Sequence, residues 1–192
     1  MRSLYCSLIL FIAFQPVMRA GEAIEAPGVA NFHTIDEHLY RGAQPSEEGF
    51  KNLAKLGIKV VIDLREGKDH AIVEKKMVEL AGMKYVNVPM HGLSAPTDEQ
   101  MATVFALLGD SSGWPAFVHC KRGADRTGTV IACYRISHDH WQNAKALQEA
   151  KLYGMSRVEI AMQHYILDFK SRDDKGPAPA KQPLALTQSA GH

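Results

Sequence analysis

The chain has 192 residues, 46% of them hydrophobic, which suits one domain with a sizeable core, leaves little room for a second and argues against a disordered chain. Its 22 basic and 21 acidic residues leave a formal charge of +1, so there is no whole-chain case for a nucleic-acid or membrane-surface partner. No internal repeat is visible, and the three cysteines imply no disulfide framework.

Residues 1–23 read as a secretory signal peptide. Arg2 supplies the positive start, Ser3 to Phe14 is an uncharged apolar run, and Ala20, Gly21 and Ala23 after Pro16 suit cleavage following Ala20 or Ala23. The run is short for a spanning helix. The expected destination is therefore export, periplasmic or secreted, with no stable membrane association after cleavage; an uncleaved N-terminal anchor is the alternative. Cys6 leaves with the signal, and the mature chain keeps Cys120 and Cys133, the latter a small buried hydrophobe of the run Val130–Tyr134.

The folded domain is expected over residues 31–172. Phe32 to Ile35 and His38 to Arg41 predict two strands around a turn, and Ser46 caps a helix that carries Phe50, Leu53 and Ala54 on one face and stops at Gly57. Ile58 to Leu64 is a mostly apolar run of strand length, as for a strand buried on both faces of a parallel sheet. A helix from His70 to Ala81, a strand from Met83 to Val88, a helix from Asp98 to Leu108 and a strand from Pro115 to His119 follow. Two helices close the domain, Trp141 to Tyr153 and Ser156 to Phe169, the second opening on a Ser156–Glu159 capping box and presenting Val158, Met162, Tyr165, Ile166 and Phe169 as an apolar stripe. From residue 173 the chain turns to Gly, Pro, Ala and Gln, and residues 173–192 are expected to be a disordered tail. The alternation predicts an α/β three-layer sandwich, a mostly parallel central sheet flanked by helices, with its ligand site beyond the carboxyl ends of the strands.

The chain is organised around residues 117–128, FVHCKRGADRTG. An apolar strand end delivers Cys120 to a tight polar turn containing Gly123, and Arg126 opens an apolar helical run. The residues from Lys121 to Asp125 can wrap so that successive backbone N–H groups converge on one point, where the next helix also aims its unsatisfied N–H groups and the positive end of its dipole. Phosphate is the natural guest of that cradle. The same surroundings favour an ionised sulfur, which is the nucleophilic form of cysteine. Arg126 offers a planar fork for two phosphoryl oxygens, which lysine cannot. Thr127 can turn its hydroxyl to the sulfur, and Gly128 allows close packing on the strand.

The segment HCKRGADRTG resembles the signature loop of the cysteine-dependent protein tyrosine and dual-specificity phosphatases. With LYRGAQP at residues 39–45 and the strand ending Ile62-Asp63-Leu64-Arg65, residues 31 to 170 are similar to the compact atypical dual-specificity phosphatases of plants, fungi and bacteria. The resemblance implies a dual-specificity phosphatase-like fold and a metal-independent, cofactor-free phosphomonoester hydrolase. In it Cys120 forms a cysteinyl-phosphate that water then hydrolyses, while Arg126 and the loop residues Lys121, Arg122, Gly123, Ala124, Asp125 and Thr127 hold the phosphoryl group. The partner is a phosphorylated protein or a small phosphorylated metabolite, and an inositol phosphate or phospholipid head group is the alternative substrate. An inactive phosphate-binding module and a rhodanese-like sulfur carrier are the readings of another class; the intact Cys120 and Arg126 speak against the first, and Thr127, Gly128 and the Cys-to-Arg spacing against the second.

The family takes its proton from an aspartate on a loop ahead of the cysteine, which in this chain points to Asp98 after Ser94-Ala95-Pro96-Thr97. The larger members' Trp-Pro-Asp loop is missing. Asp98 reads equally well as a first-turn residue of a helix capped by Thr97 and Gln100, and His91 on the same loop is the second candidate acid. Arg65 follows a strand end on the ligand side and is a candidate substrate contact; it and Arg41 read alternatively as structural arginines. His119 is expected to hydrogen-bond the loop backbone. His138 and His140 lack partners at metal-ligand spacing.

Overall fold

Side chains alternate between two faces along the two central strands, and each face has its own apolar cover. In the computed structural model, which describes residues 24–171, β3 (Val60–Asp63) and β5 (Ala116–Cys120) are buried along their whole length, as strands covered on both faces must be. They lie inside a five-stranded sheet with β1 (His33–Thr34), β2 (Leu39–Ala43) and β4 (Lys84–Asn87), in the order β1-β2-β5-β3-β4. The edge strand β1 pairs antiparallel with β2, and every other pairing is parallel.

Val61 and Phe117 face α1 (Glu47–Lys55) and α2 (Lys68–Leu80), packing with Phe50, Leu53 and Val78. Ile62, Val118 and Cys120 face the other way, into a core built with Val104 of α3 (Asp98–Gly109), Ile131 and Cys133 of α4 (Asp125–His138), Ala146 of α5 (Asn143–Leu152) and Ile166 of α6 (Ile160–Asp168). The result is the expected α/β three-layer sandwich with a mostly parallel sheet. Burial pushes the Cys133 thiol up, as for a small apolar core residue.

Local chemistry sets several of the helix ends. Ser46 Oγ accepts from Gly49 N at 3.1 Å to cap α1. Thr97 Oγ1 accepts from Gln100 N at 3.2 Å while Gln100 Oε1 accepts from Thr97 N at 2.8 Å, a complete capping box for α3. The box expected at Ser156 and Glu159 does not form. Helix α6 starts later, at Ile160, because the Ser156 N–H donates to Asp125 Oδ1 at 2.8 Å and residues 156–159 stay in an irregular turn. Val158 consequently leaves the apolar stripe and is 80% exposed, while Met162 and Ile166 are buried.

Packing also begins ahead of the expected start at residue 31, since Ala26 and Val29 are buried against the α1 side. The segments read as signal peptide, residues 1–23, and as tail, residues 173–192, lie outside the described residues. Among the described residues, no helix is long and apolar enough to cross a membrane.

The parallel strands end together. Ala43 aligns with Cys120, Asp63 with His119 and Asn87 with Asp63, so the segments leaving β2, β3, β4 and β5 emerge at one edge of the sheet, where ligand sites of such sheets lie.

Candidate active site

At that edge Cys120, the last residue of β5, is 2% exposed, and the loop behind it is shaped by where its carbonyls are tied. The Lys121 carbonyl accepts from the backbone N–H of Gln44 at 3.4 Å. Asn31 Nδ2 donates to the Arg122 carbonyl at 3.4 Å, to the Gly123 carbonyl at 3.0 Å and to the Tyr153 carbonyl at 2.9 Å. Arg41 Nη2 also donates to the Gly123 carbonyl. A trans peptide sends its N–H opposite to its C=O. With three successive carbonyls turned to the β1–β2 hairpin, the N–H groups of Arg122, Gly123 and Ala124 point away from it, and such a run of amides makes an anion cradle. Gly123 is required here: its φ is +65°, and a Cβ would come within 2.3 Å of the Gly42 carbonyl carbon.

The helix that follows is open at its start. Ala124 precedes α4 without any side-chain cap, and the Gly128 N–H is the one that reaches the Ala124 carbonyl, at 2.7 Å. The first-turn amides are thus available, with the positive end of the helix dipole behind them. Arg126 lies across the strand ends, its Nη1 donating to the Leu64 carbonyl at 3.4 Å and the Met90 carbonyl at 3.3 Å. Among the described residues Nε and Nη2 meet no other acceptor, leaving one edge of the fork free for a phosphoryl group. Thr127 Oγ1 is buried and bonds neither Cys120 nor any other described residue.

Not every residue of the loop faces a ligand. Asp125, expected to contact substrate, commits Oδ1 to the Ser156 N–H and Oδ2 to Arg122, and so fastens the start of α4 to the α5–α6 connection. Arg122 keeps 59% of its side chain exposed, and Lys121 is exposed beside it.

Two arginines take the structural role that their sequence context offered as the alternative, and neither is free for substrate. Arg65, a candidate substrate contact, is 5% exposed on the α2 face. It spends its guanidinium on Asp63, with Nε to Oδ1 and Nη2 to Oδ2 both at 2.8 Å, and on Glu74 Oε2 at 2.5 Å. The carboxylates claim it because no water reaches them. Burial opposes ionisation of Asp63, but the Arg65 hydrogen bonds prevail and hold its carboxyl below the usual range. Arg41 is fully buried on the opposite face, stacked on the Tyr153 ring at 4.7 Å. Burial pushes it down to about 10, against the pull of Glu149, Tyr153 and Cys120. Among the described residues its Nε and Nη1 have no hydrogen-bond partner.

His119 also departs from expectation. Alternation along β5 turns it away from Cys120, so it bonds no loop backbone; its Nε2 lies 2.8 Å from Glu74 Oε1, out of line for a hydrogen bond, and its ring stacks on Phe117 at 5.6 Å. Asp63, Glu74 and His119 are the described group closest to a metal-ligand set, within 4.8 Å of one another, but Arg65 already fills the cation's place between the carboxylates.

The two candidate acids sit at different distances along their segment. His91 directly follows Met90, whose carbonyl meets Arg126, and its Nδ1 lies 3.3 Å from the Leu93 N–H and 3.2 Å from Ser94 Oγ. Asp98 is exposed at the start of α3 and accepts from the Tyr165 hydroxyl at 3.1 Å. It lines a hollow of about 670 Å³ between α3, α4 and α6 to which no residue from Cys120 to Arg126 contributes. Sequence reasoning passed over Asn31 and Tyr153, which carry no motif of their own, and met Gln44 only as part of LYRGAQP, without its tie to the Lys121 carbonyl.

Comparison with known proteins identifies the family and the fold. Residues 8–168 match the family model described as DSP-PTPase phosphatase fused to NAD+ kinase. The chain is 28% identical over 124 residues to the dual specificity protein phosphatase TpbA of Pseudomonas aeruginosa, covering 65% of this chain and 55% of that protein. It is 32% identical over 120 residues to the phosphatidylglycerophosphate phosphatase PTPMT2 of Arabidopsis thaliana, covering 61% and 52%. The chain thus spans about half the length of these curated relatives. The crystal structure of P. aeruginosa TpbA superposes with a TM-score of 0.65 at 24% identity over 77% of this chain and 89% of that one. The core catalytic domain of the PP-IP phosphatase SIW14 from S. cerevisiae, in complex with citrate, gives 0.65 at 24% over 80% and 91%. Both structures share the fold.

The placement of Arg65 has a measurable consequence. Arg65→Met leaves two buried carboxylates without a counter-ion and is expected to lower unfolding stability by about 3–5 kcal/mol, while the KM of the remaining folded protein for an aryl phosphate stays unchanged. Chemical denaturation beside steady-state kinetics checks both; a raised KM at unchanged stability makes Arg65 a substrate contact after all.

Proposed function

The chain belongs to the family of DSP-PTPase phosphatase domains described as fused to NAD+ kinase, and on that premise we propose that it hydrolyses phosphomonoesters through a cysteinyl-phosphate. The observation that carries the proposal is the outward tying of the Lys121, Arg122 and Gly123 carbonyls beside Cys120, with an uncapped helix N-terminus and the free edge of Arg126 at the same place.

In the first step the Cys120 sulfur, as thiolate, attacks phosphorus; the S–P bond forms as the bond to the leaving oxygen breaks, and that oxygen takes a proton from a general acid. Loop amides and Arg126 hold the three equatorial oxygens, whose charge they match best in the transition state. In the second step water attacks phosphorus and gives its proton back to the same group, the S–P bond breaks, and inorganic phosphate leaves. Asp98 is the proposed acid. His91 is the second reading, favoured by its place next to Met90 in contact with Arg126.

The substrate class is a phosphorylated protein or a small phosphorylated metabolite. Exposed Lys121 and Arg122, the latter offset in part by its ion pair with Asp125, suit a ligand with more than one negative group, and relatives named for phosphatidylglycerophosphate and PP-IP support the small-molecule arm. We place the protein outside the cytoplasm on the strength of residues 1–23.

Cys120→Ser is expected to abolish turnover of an aryl phosphate while retaining phosphate binding, and Arg126→Lys to lower kcat by ~10²–10³-fold; near-normal turnover of either variant overturns the mechanism. For the acid, Asp98→Asn is expected to slow substrates with poor leaving groups by ~10²–10⁴-fold while sparing activated aryl phosphates. Equal, small effects on both substrate types reduce Asp98 to a helix-start residue, and the same pair of assays on His91→Asn then decides the second reading. The exported form is expected to begin at Gly21 or Ile24 by intact-mass measurement of secreted material; a chain still starting at Met1 in the membrane fraction points to the anchor.

A further inference from the structure

The most heavily tied atom in the loop is the Gly123 carbonyl oxygen, and both of its side-chain donors come from outside the loop. Asn31 Nδ2 reaches it at 3.0 Å from just ahead of β1, and Arg41 Nη2 reaches it from within β2. A carbonyl oxygen has two lone pairs, so both are occupied.

The two donors are themselves held in unusual states. Asn31 has φ +51°, the left-handed region that a side-chain-bearing residue rarely enters, although Asn tolerates it best. Its Oδ1 lies 3.0 Å from His33 Nε2, which fixes the amide so that Nδ2 points at the loop. Arg41 is a fully buried cation whose Nε and Nη1 have no hydrogen-bond partner among the described residues, and it is held down to about 10 by that burial. Around it stand Glu149 and Tyr153 of the α5 end, Arg135 of α4, His33 of β1 and Cys120 of β5. Strain and desolvation of this kind persist where the surroundings over-determine them, and they cluster at sites where geometry matters.

The peptide they hold is also the one most free to turn. Gly123 sits at φ +65°, in a region that glycine leaves at little steric cost. Turning the 123–124 peptide over puts a carbonyl oxygen where an anion is to bind and removes the Ala124 N–H. We propose that Asn31 and Arg41 are positioning residues: together they lock the Gly123 carbonyl outward and so keep the Ala124 N–H aimed at the phosphoryl group. The proposal rests on the phosphatase reading above and adds to it two residues that do not touch substrate.

The test uses the full-length Cys120→Ser protein as parent and inorganic phosphate as the probe, measured by calorimetry, with kcat and KM for an aryl phosphate followed in the Cys120 background. Asn31→Asp keeps shape but replaces the donor with an oxygen that repels the carbonyl; Arg41→Met removes the other donor. Each change is expected to weaken phosphate binding by about tenfold or more, as loss of an aligned cradle amide requires, and to lower kcat more than it raises KM. Because both donors share one acceptor, the double variant is expected to lose less than the product of the single losses. Arg41→Lys, which keeps a charged donor, is expected to recover part of the phosphate affinity. Cooperative thermal unfolding well above the assay temperature establishes that each variant is folded. Should Arg41→Met not fold, Asn31→Asp alone decides. Folded variants that bind phosphate within about twofold of the parent overturn the clamp and leave the phosphatase reading standing. A Cys120→Ser parent that binds no phosphate overturns the anion-loop reading, and the clamp with it.

Discussion

Everything at the functional edge depends on the orientation of three successive peptides. An anion site made of backbone amides has no side chains to specify it, so its charge preference is set by which way each C=O is turned. Here the donors that fix those directions lie on a different element from the loop: the Gln44 amide, the Asn31 amide and the Arg41 guanidinium all belong to the segment around β1 and β2. The parallel pairing of β2 with β5, register Ala43 to Cys120, brings the two together. That register is why the short hairpin at the sheet's edge matters to chemistry one strand away.

The arrangement requires buried cations on both faces of the sheet, and the two are handled in opposite ways. On the α2 face Arg65 is matched by Asp63 and Glu74, and the Tyr85 hydroxyl donates to Asp63 Oδ2 at 2.8 Å, so the charge is almost fully partnered. On the α5 face Arg41 has, among the described residues, one hydrogen bond and an aromatic ring, and its Nε and Nη1 stay unsatisfied. A matched pair holds layers in register. An under-matched cation directly behind an anion loop adds to the loop's positive field, because a low-dielectric interior screens it poorly.

Strand alternation divides the work between neighbours in sequence. His119 and Cys120 are adjacent, yet one faces α2 and Glu74 while the other faces the α4 side. The pair therefore lies in two separate environments.

Much of this was legible in the chain itself. Apolar runs at Ile58–Leu64 and Pro115–His119 fixed the buried strands, and Ser46, Thr97 and Gln100 fixed their helix starts, because these are contacts between residues a few positions apart. The Cys-to-Arg loop was legible for the same reason: its residues, its glycine and its helix are contiguous. The Ser156 box was misread because its N–H has a partner 31 residues away in Asp125, and a long-range acceptor outranks a local cap. Arg65 was left between two readings by sequence, since Glu74 lies nine residues on, inside α2, and only the path of that helix over the strand end brings its carboxylate to 2.5 Å. Asn31 and Arg41 were invisible as a pair, being held to Gly123 across 92 and 82 residues. Local sequence determined the elements and the nucleophile's loop; tertiary structure alone decided which side chains hold that loop open, because a carbonyl's direction is set by whatever donor the fold carries to it.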